Sequence, residues 1–96
     1  MTSRQRAYLK SIAQTTEPIF QIGKNGLTPE ITEAILLALD ARELVKISVL
    51  NNCLEDPKEM CQTLSERTHS VPVQVIGKKI VLYKPSKKNP KIILPS

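Results

Sequence analysis

Between residues 29 and 50 the spacing of apolar side chains changes once, and that change restricts the chain to an α/β architecture. Across Pro29–Arg42, Ile31, Ala34, Ile35 and Ala38 recur at helical intervals, and Leu36, Leu37 and Leu39 broaden the stripe. From 44 to 50 the period falls to two, with Val45, Ile47 and Val49 on one face and Leu44, Lys46, Ser48 and Leu50 on the other. A helix this apolar is expected to be largely covered, and the period-two run is a strand.

The same reading extends in both directions. Tyr8, Leu9, Ile12 and Ala13 form the apolar stripe of a helix over Ser3–Gln14, with Arg6 and Lys10 one turn apart on another face. Residues 18–22 read as a short strand, apolar at Ile19, Phe20 and Ile22. Asp56-Pro57-Lys58-Glu59 supplies a cap, a first-position proline and an acid at the third helical position, so a third helix starts there and stops near His69. Val71, Val73 and Val75 alternate in a further strand, Gly77-Lys78 fits a two-residue hairpin turn, and residues 80–83 return as its partner. The order is α-β-α-β-α-β-β. Helices between the first three strands predict crossovers on a small sheet, and the hairpin makes that four-stranded sheet mixed.

At 96 residues the chain is one domain. Lys and Arg outnumber Asp and Glu by 14 to 9, and the excess sits at the ends. Residues 84–96 carry Lys84, Lys87, Lys88 and Lys91 without any acid, and Pro85, Pro90 and Pro95 keep the tail, 85–96, extended. Arg4, Arg6 and Lys10 occupy the first sixteen residues, also without an acid. Basic ends around a nearly neutral middle suit a polyanionic partner, although a solvated surface has the same composition. The start Met-Thr-Ser-Arg has no apolar signal region and no run reaches membrane-spanning length, so a cytoplasmic location and no membrane partner are expected. Cys53 and Cys61 are too few for a disulfide scaffold and read as reduced, part-buried thiols.

Catalytic chemistry finds little footing. His69 is the single histidine, with no nucleophile motif near it, and reads as a cap at the end of the third helix. Cys53, Cys61 and His69 are spaced by eight and eight, which matches no common zinc pattern. Glu30, Glu33 and Asp40 lie on the solvated side of a helix. No enzyme activity, cofactor, metal or small-molecule substrate is expected.

Gly23-Lys24-Asn25-Gly26 carries the positive signal. Glycine turns the backbone through positive φ and removes the Cβ that would hold a phosphodiester away. The helix that follows, capped by Thr28 with Pro29 at its first position, offers amides and the positive end of a dipole, and Lys24 adds a charge at the tip. A Gly-x-x-Gly alone is weak, and Asn25-Gly26 also suits a plain tight turn. A hairpin is disfavoured because a helix, not a strand, comes next. The loop lacks the Gly-Lys-Ser/Thr ending of a nucleotide-triphosphate loop, and it joins strand to helix, whereas the KH loop joins two helices. With only Tyr8, Phe20 and Tyr83 aromatic, a stacking platform of the RRM kind is not available, so recognition should run through backbone and shape.

Four ordered blocks give the chain a family resemblance: Gln5-Arg6-Ala7-Tyr8-Leu9, then Ile22-Gly23-Lys24-Asn25-Gly26-Leu27-Thr28, then Ala41-Arg42-Glu43-Leu44-Val45-Lys46, then Gly77-Lys78-Lys79-Ile80-Val81-Leu82-Tyr83. The chain resembles the CRM domain family in its stand-alone bacterial YhbY form, over residues 1–84. The resemblance implies a fold similar to the C-terminal domain of bacterial translation initiation factor three and RNA binding without a catalytic site. Stand-alone bacterial members associate with precursors of the large ribosomal subunit, and plant relatives serve organelle intron splicing. It places the clamp at Gly23, Lys24, Asn25 and Gly26, flanked by Arg4, Arg6 and Lys10. Charge alone adds the tail lysines Lys87 and Lys88 to the RNA-binding set. Arg42 and Lys46 also match family positions, with ion pairing to Glu43 or Asp40 as the other reading. A protein-interaction module that docks through Leu36 and Leu37 is the alternative from a different class.

Overall fold

Three polar side chains start the three helices. In this computed structural model, which describes residues 1–87 and 90–95, Thr2 opens α1 (Ser3–Gln14) with a reciprocal box. Its hydroxyl accepts the Gln5 amide at 3.1 Å and the Gln5 side chain accepts the Thr2 amide at 3.1 Å. Thr28 accepts the Ile31 amide at 3.2 Å to start α2 (Pro29–Arg42), and Asp56 accepts the Lys58 amide at 3.2 Å to start α3 (Pro57–Thr68). His69 does close α3, but through its main chain: it adopts the left-handed conformation at φ 54°, and its amide donates to Ser65.

Four strands, β1 (Phe20–Ile22), β2 (Leu44–Val49), β3 (Val71–Ile76) and β4 (Lys79–Tyr83), form one mixed sheet in the order β1-β2-β4-β3. β1 runs parallel to β2, and β4 is antiparallel to both of its neighbours. The α/β order and mixed sheet expected from periodicity are therefore present. Regular β1 pairing begins at Phe20 and not at 18, since Pro18 has no amide to donate; Ile19 still donates to Lys46 at 3.0 Å. Gly77 turns the hairpin at φ 56°.

Both faces of the sheet are covered. Ile35 and Leu39 from α2 and Met60 and Leu64 from α3 pack on Val45, Ile47, Ile80 and Leu82. Leu9 and Ala13 from α1 pack on the opposite face with Leu44, Val81 and Tyr83. This is why β2 is buried on both sides, Lys46 apart. One alternation departs from expectation. A bulge between Pro72 and Gln74 adds a residue to β3, so Val73 joins the α1-side cluster while Val75 packs on the α2–α3 side. Cys53 and Cys61 are free and buried on the α2–α3 side, and burial pushes the Cys61 thiol up.

The chain beyond Tyr83 folds back onto the domain. Glu43, fully buried and at φ 68°, accepts backbone amides from Ser86 at 2.8 Å, from Ile92 at 2.8 Å and from Lys91. Ile92 and Leu94 rest on the α1-side cluster, and the Gln5 amide group donates to the Pro95 carbonyl at 3.1 Å. Burial alone would push the Glu43 carboxyl up; the amides of Ser86, Ile92 and Lys91, with the Lys91 charge, outweigh it and hold the group below its ordinary value. Burial and the Glu43 charge together push the Tyr83 phenol up.

Candidate nucleic-acid interface

The parallel pairing of β1 with β2 decides where the glycine loop lies. Ile22 is opposite Val49, so Gly23 emerges at the same end of the sheet as the β2–α3 loop and the β3–β4 hairpin. Gly26 donates to the Gly23 carbonyl at 3.0 Å, which closes a tight turn with Lys24 and Asn25 as its central pair. Both side chains are exposed, and among the described residues Lys24 makes no hydrogen bond or ion pair. Gly26 sits at φ 63°, where glycine is favoured.

Some of the amides at the loop and helix start are satisfied within the fold. The Gly26 amide is spent on Gly23, the Ile31 amide on Thr28 and the Thr32 amide on the Thr28 carbonyl at 3.0 Å, while Pro29 has none. The Lys24, Asn25, Leu27, Thr28 and Glu30 amides make no hydrogen bond among the described residues, so the turn offers main-chain donors beside its protruding lysine and asparagine. Glu55 also lies against it: a Cβ on Gly26 would stand 2.1 Å from the Glu55 Oε1.

Adjacent loops add polar and basic groups. A Cβ on Gly23 would be 3.2 Å from the Asn52 Oδ1, and the Lys78 ammonium donates to the Asn51 Oδ1 at 3.0 Å. Lys79 donates to the Ser48 hydroxyl at 3.0 Å. Lys24, Asn25, Asn51, Asn52, Lys78 and Lys79 thus share one rim of the sheet. The sequence gives Lys78 and Lys79 only as hairpin residues; the signal that could have found them is the strand order, which periodicity does not supply.

The basic residues of α1 do not all reach this rim. The Arg6 guanidinium donates to the Pro72 carbonyl and to the Val73 carbonyl at 3.2 Å, covering the bulge on the outer strand β3. β1 and β3 are opposite edges, which puts Arg6 about 14 Å from the loop across the strands, with further distance along them. Arg4 and Lys10 are exposed on α1. Lys46 is half-buried and donates to the Ala13 carbonyl at 3.1 Å, closing the end of α1. Asp40 pairs with Lys84 at 3.6 Å, and Glu43 takes tail amides, so neither acid pairs with Arg42 or Lys46. Lys87 is exposed on the tail, and Lys88 lies outside the described residues.

Among the described residues, no three His, Cys, Asp or Glu side chains are placed to hold a metal, and no helix is long and apolar enough to cross a membrane. Tyr83 is buried and Phe20 half-buried under covered faces, so the sheet offers no aromatic platform.

Comparison with known proteins finds relatives that match along nearly the whole chain. The chain is 46% identical over 95 residues to Probable RNA-binding protein YqeI of Bacillus subtilis (strain 168), covering 99% of each. It is 34% identical over 95 residues to a Haemophilus influenzae protein named RNA-binding protein, covering 99% of this chain and 95% of that one. The solution structure of the hypothetical protein SAV1595 from Staphylococcus aureus superposes with a TM-score of 0.83 at 48% identity, with 99% of each chain covered. The CRS1 / YhbY (CRM) domain family matches residues 1–84, and the chain belongs to that family.

Proposed function

We propose that this protein is a non-enzymatic, cytoplasmic RNA-binding protein that holds ribosomal RNA of large-subunit precursors during ribosome assembly. The observation that carries the reading is the tip of the Gly23–Gly26 turn, where Lys24 has no partner among the described residues and stands on a rim shared with Lys78, Asn51 and Asn52. Such a rim meets phosphates and sugars, which fix position on a folded RNA without reading its sequence. The family match and the names of the relatives support RNA as partner. The interaction-module alternative has less to stand on: Leu36 is half-buried, so Leu37, 60% exposed, is alone of that pair at the surface.

Crosslinking the protein to RNA in growing cells and sequencing the attached fragments tests the assignment. Reads concentrated on large-subunit ribosomal RNA support it; reads scattered over messenger RNA overturn it. In vitro, four phosphates met by Lys24, Lys78, Lys10 and Arg4 give a log affinity against log salt slope of about −3. Lys24→Glu weakens binding and leaves the thermal midpoint nearly unchanged, since the side chain is exposed and makes no hydrogen bond or ion pair among the described residues.

A further inference from the structure

The end of the sheet away from the glycine loop holds a second basic concavity. The strap after β4 and the C-terminal turn of α2 enclose a groove of about 920 Å³, lined by Asp40, Ala41, His69, Lys84, Lys87 and Lys91. That volume admits a nucleotide-sized group. Tyr83 pairs with Leu44, the first residue of β2, whereas the glycine loop follows the strand that pairs with Val49; the two sites are separated by about 17 Å along β2.

Charge in the groove is only partly compensated. Asp40 is the one acid in its lining and is answered by Lys84 at 3.6 Å. Glu43 is buried beneath the strap and satisfied mainly by three backbone amides. Lys87 has no partner among the described residues, and both Lys87 and Lys91 are exposed. Among the described residues the lining contains no arginine fork, and its one ring is His69, so its three lysines suit a compact phosphate charge. Glu43 holds the backbone at Ser86 and Lys91, the residues that carry or adjoin these lysines, which lowers the main-chain part of the ordering cost of binding.

We propose that this groove is a second phosphate-binding site, which takes the backbone of the same RNA that the glycine loop engages. The inference rests on the RNA-binding reading above. It goes beyond that reading in making the protein a two-ended clamp, whose RNA must span the length of β2.

His69, the single histidine, lines the groove and gives a direct reporter. The experiment titrates a fluorescein-labelled RNA stem-loop into the whole protein, following the His69 ring resonances by NMR and the affinity at several salt concentrations. Lys24→Glu, Lys87→Glu and Ala41→Glu are compared with the parent; Ala41 is an exposed helical wall residue, so its variant keeps the fold if the Lys87 variant does not. The proposal expects the ring signals to shift on RNA addition. It expects both groove variants to bind about tenfold more weakly, with a salt slope shallower by about 1 for Lys87→Glu. Loss of affinity in Lys24→Glu alone, with an unmoved His69 ring and groove variants that bind like the parent, overturns the second site and leaves the loop reading standing. A parent protein that fails to bind the stem-loop even at low salt overturns both.

Discussion

The carboxylate of Glu43 accepts the backbone amide of Ile92 at 2.8 Å, which ties the end of α2 to a strap near the C-terminus. Ser86 and Lys91 donate to the same carboxylate, so one buried side chain organises both ends of the strap. Glu43→Ala removes the acceptor for all three amides. The strap should then leave the domain instead of keeping unpaired donors buried, and the loss is about 2–3 kcal/mol. Amide exchange measured residue by residue checks this: protection at Ile92 should disappear while the Leu44–Val49 strand keeps its own.

Acid should produce the same release without mutation. The folded Glu43 carboxyl lies below its ordinary value of 4.5, because the Ser86, Ile92 and Lys91 amides outweigh the upward push of burial. A group whose pKa is depressed on folding contributes stability above the unfolded value and loses it as pH falls through the folded one. The strap should therefore stay docked at neutral pH and down through 4.5, then detach at lower pH as the carboxylate takes a proton. Following the Ile92 amide signal through an acid titration tests the order of events. Glu43→Gln, which cannot titrate, should abolish the transition.

Arg4 and Arg6 look interchangeable in the sequence and should separate in experiment. Arg6 is half-buried and holds two carbonyls at the β3 bulge, so Arg6→Ala is expected to cost about 1.5–3 kcal/mol of stability. Arg4 is exposed, and its removal should change stability by less than about 0.5 kcal/mol. RNA binding should show the reverse ranking, with the salt slope falling by about 1 for Arg4→Ala and by less for Arg6→Ala. Urea unfolding and salt-dependent affinity on the two variants provide both rankings.

These contrasts mark what periodicity can and cannot carry. The helix spans were legible because Leu9, Ala13, Ile35, Leu39, Met60 and Leu64 recur at intervals that only a helix face satisfies, and the bounds of α1, α2 and α3 follow. Strand order was not legible, because pairing of β4 between β2 and β3 is a long-range choice. With it went the rim formed by Lys78 and the loop, and the distance of Arg6 from that loop. The bulge at Pro72 was hidden by the valine alternation that seemed to define the strand. The sequence reading gives Glu43 only as a candidate ion-pair partner of Arg42 or Lys46, although an acid at a helix C-terminus opposes the dipole and hints at another role. Ile92, Ile93 and Leu94 were the overlooked signal in the tail: an apolar run among lysines and prolines has something to cover, and Ile92 and Leu94 cover the α1 side.

The two glycines of the loop should respond differently to alanine. At Gly23 the new Cβ meets the Asn52 Oδ1 at 3.2 Å, a contact that a small side-chain movement relieves. At Gly26 two costs combine. The φ of 63° strains any residue with a Cβ by about 1–3 kcal/mol, and the Cβ would stand 2.1 Å from the Glu55 Oε1. Glu55 is exposed and can swing away, so the clash is removable while the backbone strain is not. Gly26→Ala should therefore destabilise the protein more than Gly23→Ala, and adding Glu55→Ala should recover only part of the loss. If Glu55 also opposes an incoming phosphate at the turn, Glu55→Ala by itself should tighten RNA binding at low salt, an effect that fades as salt screens the carboxylate. Chemical unfolding of the four variants, with RNA affinity measured at two salt concentrations, separates the strain of the turn from the charge that lies against it.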